Sequence, residues 1–159
     1  MNALSLLRGQ HREAERLFSR LDAETDAAAQ RLLVETLVDH LAAHLAAAEF
    51  VLYPVAYGAR SQDLLTEALE DHRETLRRAA ELVDCGPGHL LFHLKLHALR
   101  REFEAHVVEQ EDLFDVLERR FGDALLEKLG ADLAVAYARV GRAEVPTFTE
   151  APEASPALG

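Results

Sequence analysis

This sequence predicts an all-α fold, an up-down-up-down four-helix bundle with short additional C-terminal helices. Three observations carry that prediction. The chain is 49% hydrophobic but only 6% aromatic, and Leu, Ala, Glu and Arg dominate it; that balance favours helix over sheet. Four long stretches place apolar residues at helical spacing. Short connections join them, which makes an antiparallel bundle the economical way to bury four apolar stripes.

The first helix covers residues 4–21, where Leu7, Ala14, Phe18 and Leu21 share a face with His11 and Gly9 is a local weak point. Residues 22–26 interrupt the pattern, and Thr25 or Asp26 is placed to cap the next helix. The second helix, residues 27–55, contains one long apolar run, 37–54, that Pro54 ends or bends. At about 100° per residue His40 and His44 lie about 40° apart, with Leu37, Leu41, Ala48 and Val51 on their side. Residues 57–61 read as a connection, with Ser61 a candidate N-cap and Asp63 in the first turn. The third helix, 62–83, puts Leu65, Ala68, Leu69, Leu76 and Ala79 on one side with His72 among them. Cys85-Gly86-Pro87-Gly88 is the strongest turn in the chain. The fourth helix, 89–121, aligns Phe92, Leu96, Leu99, Phe103, His106, Leu113 and Leu117. Residues 123–129 and 131–140 read as two short helical pieces separated by Gly130. The folded domain therefore spans 1–140, and 141–159, with Pro146, Pro152 and Pro156 among small and acidic residues, reads as a disordered tail.

A net charge of −11 argues against a nucleic-acid partner or an anionic membrane surface. The single cysteine, Cys85, excludes an internal disulfide and a cysteine-based metal site, which fits a reducing cytoplasm. No stretch has the length and apolarity of a signal h-region or a membrane span.

The chemistry lies in the histidines. His11, His44, His72 and His106 sit on the core stripes of four different helices, one each. Four imidazoles in one apolar core leave nitrogens poorly paired unless a metal takes them as neutral ligands. His40 adds a fifth, one turn before His44.

Four segments carry a family likeness: LLRGQHREAERLF around His11, HLAAAEFVLYP from His44 to Pro54, EALEDHRETL around His72 and EAHVVEQEDLF from Glu104 to Phe114. In this order, over residues 1–129, the chain resembles the hemerythrin-like, HHE cation-binding family. The resemblance implies a four-helix bundle holding a non-haem di-iron centre that binds dioxygen, senses oxygen, iron or nitric oxide, or handles peroxide. It also implies a carboxylate four residues after the histidine on the second and fourth helices. Here those positions hold Ala48 and Gln110. The neighbouring Glu49 and Glu111 are each rotated by about 140° from their histidines, out of reach unless a π-bulge or similar distortion rewinds the helix. Glu109, at about 60° from His106, is better placed. The candidate ligands are therefore His11, His40, His44, Glu49, His72, His106, Glu109 and Glu111, with Glu15 a further carboxylate four residues after His11. So few carboxylates lean toward one Zn²⁺ or Fe²⁺ ion or an atypical di-iron centre. The leading expectation is a non-haem iron centre, di-iron in preference to mononuclear, that binds or senses dioxygen, nitric oxide or peroxide; the alternative is a degenerate bundle with a single Zn or Fe ion or no metal, acting as an interaction module. Peroxide or nitric-oxide reduction would use the same residues as binding or sensing.

Other features have plainer readings. His89, His93 and His97 form a row at i, i+4, i+8 that faces away from His106, beside Leu90 and Leu94, where a homodimer contact fits. Tyr53 reads as packing or an interfacial hydroxyl, with a secondary reading as a donor or ligand at a metal.

Overall fold

The structure, a computed structural model, describes residues 1–58 and 62–141. The helices are α1 (Ala3–Ala23), α2 (Ala27–Ala47), α3 (Tyr53–Tyr57), α4 (Gln62–Cys85), α5 (Phe92–Arg120) and α6 (Asp123–Val140), and a π-helical turn (Ala48–Leu52) joins α2 to α3. The four long helices α1, α2, α4 and α5 form a closed ring of neighbours, and α6 lies across α1 and α2. Among the described residues no helix is long and apolar enough to cross a membrane.

The expected boundaries hold closely where caps define them. Asn2 opens α1 by accepting from the Ser5 N–H at 2.9 Å, and Asp26 opens α2 by accepting from the Ala29 N–H at 2.9 Å. After α4 the chain turns through Gly86 and Gly88 at φ of 71° and 86°, a backbone region that favours glycine. His89 belongs to that turn, where its Nδ1 accepts from the Leu91 N–H at 3.1 Å, so α5 starts three residues later than expected. The expected cap at Ser61 and the tail from 142 onward lie outside the described residues.

Two expectations change. Residues 123–129 and 131–140 are one helix, α6, which runs straight through Gly130. Gly130 is buried where α6 crosses the start of α1; a Cβ there would overlap the Met1 carbonyl oxygen and lie 2.9 Å from the Ala3 nitrogen. It is a contact surface, not a break. The second helix, expected to run unbroken to 55, is interrupted at Ala48–Leu52, where the Tyr53 N–H donates to the Ala48 carbonyl, an i→i+5 bond.

Two apolar clusters occupy the ends of the bundle. One gathers Phe18, Leu37, Leu82, Phe92 and Phe103 with their neighbours; the other gathers Leu4, Leu52, Phe114, Leu117 and the α6 residues Leu126, Leu129 and Leu133. Between them lies a layer of buried polar side chains: Gln10, His11, His40, His44, His72, His106 and Gln110. The sequence of α2 is apolar almost all round because α1, α4 and α6 all pack against it.

Candidate metal centre

Three histidines from three helices meet in the polar layer. Ring nitrogens of His11 on α1, His44 on α2 and His106 on α5 all lie within 4.8 Å of one another, and all three residues are buried. His44 and His106 face each other directly, Nε2 to Nε2, at 3.1 Å. The three rings stand edge to face, with centroids 4.9, 5.3 and 5.9 Å apart.

Hydrogen bonding fixes where protons sit on these rings. His44 Nδ1 lies 2.8 Å from Gln10 Oε1, which can only accept, so Nδ1 carries the proton and Nε2 carries a lone pair toward His106. His11 Nε2 donates to Gln110 Oε1 at 2.7 Å, and its buried Nδ1 has no hydrogen-bond partner among the described residues. Burial lowers the pKa of His11, although the Gln110 bond opposes it. Burial, reinforced by the neighbouring imidazoles, pushes His44 and His106 well below the ordinary histidine range. The cluster is neutral at neutral pH, rich in lone pairs and without an anion.

The other side of the layer is organised around His72. Its Nδ1 donates to Glu49 Oε1 at 2.8 Å, and its Nε2 accepts from the Tyr53 hydroxyl at 3.1 Å. Gln110 Nε2 donates to the same hydroxyl at 3.3 Å. A continuous run of hydrogen bonds therefore links Glu49, His72, Tyr53, Gln110 and His11. Burial lowers the His72 pKa, partly offset by Glu49, and burial raises that of Tyr53. The centroids of His72 and His106 are 5.1 Å apart, so the two sides are in contact.

The π-helical turn explains why Glu49 reaches His72. On a regular helix Glu49 points about 140° away from His44; the wider turn at Ala48–Leu52 brings it round to the bundle interior.

The remaining expected ligands are not brought to the three-histidine cluster. Both nitrogens of His40 are engaged elsewhere, Nδ1 with the Tyr137 hydroxyl at 2.7 Å and Nε2 with the Gln10 carbonyl at 2.8 Å. Glu111 forms an ion pair with Arg8 at 2.9 Å, on the outer side of α5. Glu15 pairs with Arg100. Glu109 stands with Asp71, Tyr53, Tyr57, His72, His106 and Gln110 around a cavity of about 20 Å³, room for one water-sized occupant. Burial and the adjacent Asp71 raise the Glu109 pKa. His97 lies far from this layer and pairs with Asp22 at 3.1 Å.

Gln10 and Tyr137 belong to the layer although their sequence context did not single them out. Gln10 carried a signal: it falls three residues after Leu7 and four before Ala14, on the buried stripe of α1, where a polar residue needs a buried partner. Tyr137 carried none, because its partner depends on how α6 docks.

The sequence model of the Hemerythrin HHE cation binding domain family matches residues 2–117. No curated protein sequence matches the chain. Among solved structures, a hemerythrin HHE cation binding domain-containing protein from Mycobacterium kansasii superposes with a TM-score of 0.71 at 20% identity, covering 89% of this chain and 88% of that one. At that identity the likeness concerns the fold alone. With its family match covering α1 to α5 and a buried histidine cluster between those helices, the chain belongs to the hemerythrin HHE cation-binding domain family.

Proposed function

We propose that this protein holds a non-haem iron centre in its polar layer, two irons when fully loaded, and binds dioxygen, nitric oxide or peroxide there. The observation that carries the reading is the anion-free cluster of His11, His44 and His106, with an orphaned buried Nδ1 on His11 and two Nε2 atoms 3.1 Å apart. A buried nitrogen without a partner, such as His11 Nδ1, is costly, and a divalent cation would take a lone pair from all three rings at once, replacing the His44–His106 hydrogen bond.

The donor set fits a metal. His11, His44 and His106 would hold one ion; His72 and Glu49 offer an imidazole and a carboxylate for its neighbour. When bound, iron supplies redox chemistry and an open coordination position for a small ligand. The chain's own residues do the rest. Gln10 holds the His44 tautomer, and Glu49 orients the His72 ring. Tyr53, with its phenol kept protonated by burial, presents a hydroxyl at the cavity beside His72 and His106. Phe103, Phe114 and Leu52 keep the layer dry above and below.

The approaches support a small ligand. A groove of about 360 Å³ between α1 and α5, lined by Phe103, Val107 and Val108, leads to His11 and suits a neutral diatomic molecule. The cavity at His72 and His106 is flanked instead by Asp71 and Glu109, and suits a cation or a protic ligand.

Gln110 favours a second reading, a single Zn²⁺ or Fe²⁺ ion. It is a neutral amide, already bonded to His11 and Tyr53, in the span between the two sides. Two irons in close proximity need anions to offset their repulsion, and Gln110 supplies none.

Elemental analysis of untagged protein, with an optical spectrum, tests the proposal. About two irons per chain with near-ultraviolet ligand-to-iron bands support it. One ion per chain selects the second reading. Substoichiometric metal without bands overturns both and leaves an interaction module.

A further inference from the structure

We propose that Tyr137 on α6 is a positioning residue for the metal centre, acting through His40 and Gln10 to fix which nitrogen of His44 faces the cluster. The inference rests on the reading of that cluster as a metal site. It starts from hydrogen bonds whose directions are chemically determined. The Gln10 backbone carbonyl can only accept, so His40 Nε2, 2.8 Å away, carries the proton. In the neutral ring His40 Nδ1 is then the acceptor, and the Tyr137 hydroxyl at 2.7 Å donates to it. Gln10 Oε1 in turn accepts from His44 Nδ1 at 2.8 Å, which leaves His44 Nε2 as the lone pair 3.1 Å from His106 Nε2. Three helices, α6, α2 and α1, thus contribute one link each before the run reaches His44.

Removing the first link releases the others in order. Without the Tyr137 hydroxyl, His40 Nδ1 loses its donor and the ring is free to move its proton to Nδ1 and abandon the Gln10 carbonyl. Gln10 then loses one of its two contacts with α2, so the Oε1 that accepts from His44 Nδ1 is no longer held in place from the His40 side. The His44 proton is free to shift to Nε2, the nitrogen that must be bare to bind a cation. Gln10, one hydrogen bond removed from His44, is a partner of the kind worth roughly 10–100-fold in metal affinity, and Tyr137, two hydrogen bonds further out, acts through it. The device belongs to α6, which lies beyond residues 2–117 matched by the family. His40 takes part as a coupler and keeps neither nitrogen for a metal.

The test uses the full chain labelled with ¹⁵N-histidine. Nitrogen shifts of the metal-free protein report each tautomer, and Co²⁺ titration reports affinity. In the wild type, His44 carries its proton on Nδ1. Tyr137→Phe shifts a measurable fraction to Nε2 and weakens Co²⁺ binding about tenfold. Leu133→Ala, which removes a buried α6 side chain and no hydrogen bond, lowers Tm but leaves tautomer and affinity unchanged. Tyr137→Phe with wild-type tautomer and affinity overturns the inference. So does Leu133→Ala reproducing both changes, since the effect would then be loosened packing. A wild type that binds no Co²⁺ defeats the metal reading instead, while the tautomer measurement still decides whether Tyr137 acts on His44.

Discussion

On one side of the polar layer, His11, His44 and His106 meet with no carboxylate between them, His44 Nε2 accepting from His106 Nε2 and His11 Nδ1 left without a partner among the described residues; on the other, His72 is bonded at both nitrogens, to Glu49 and to Tyr53. Both sides are built from the same kind of helix position, a core stripe interrupted by a polar residue. They differ in what surrounds the rings. The π-helical turn delivers an anion to one side, while the other side receives only the amide oxygens of Gln10 and Gln110. Burial alone does not make a metal site. His72 and His44 are both deeply buried and each is bonded at both ring nitrogens, but the three-histidine side holds no anion and leaves His11 Nδ1 without a partner among the described residues.

The largest expected effect breaks the comparison outright. His44→Ala should remove nearly all bound metal, and His97→Ala, on the outer surface, none; elemental analysis of the two purified variants checks this. Equal losses would place the metal on the wrong face. Glu49→Gln sharpens the contrast between the sides. It should weaken the second equivalent of iron by about 10–100-fold and leave the first bound, as read in a stepwise Fe²⁺ titration. Loss of both equivalents together would mean that the two sides are one indivisible site.

Acid should act through the same histidines. Their folded pKa values are lowered, so below about pH 6.5 the unfolded chain binds more protons than the folded one, and stability falls as pH falls. Each histidine held neutral contributes a slope of about 1.4 kcal/mol per pH unit in that window. Above it, these groups contribute no slope. Urea unfolding of metal-free protein between pH 5 and pH 8 measures this, and a flat profile below pH 6.5 would show that the rings are not held neutral. The smallest effect separates stability from the site. Gly130→Ala should cost about 1–3 kcal/mol through the clash with the Met1 carbonyl, while iron content at saturation stays at the wild-type level.

The four long helices were legible because their apolar residues repeat at 3.6 and because Asp26 and the Gly-Pro-Gly turn punctuate them. The histidine set was legible for the same reason: His11, His44, His72 and His106 fall on those stripes. The continuity of α6 was not, because Gly130 looks like a break until the start of α1 is placed against it. His40 shares the stripe of His44 and so resembled a ligand; only the docking of Tyr137 shows where its nitrogens go. The offset of Glu49 left it out of reach unless the helix were over- or underwound there, and the π-helical turn at Ala48–Leu52 is such an underwinding, which the sequence alone did not place. Glu109 and Glu111 were harder. Angular position places a carboxylate on a face, but Arg8 and Asp71, from other helices, decide where each one settles.

Anomalous scattering from crystals of the iron-loaded protein tests the central claim most directly. The account predicts an iron peak within coordinating distance of His11, His44 and His106. Iron bound only at the surface, beside His93 and His97, or no peak in the polar layer, would contradict it.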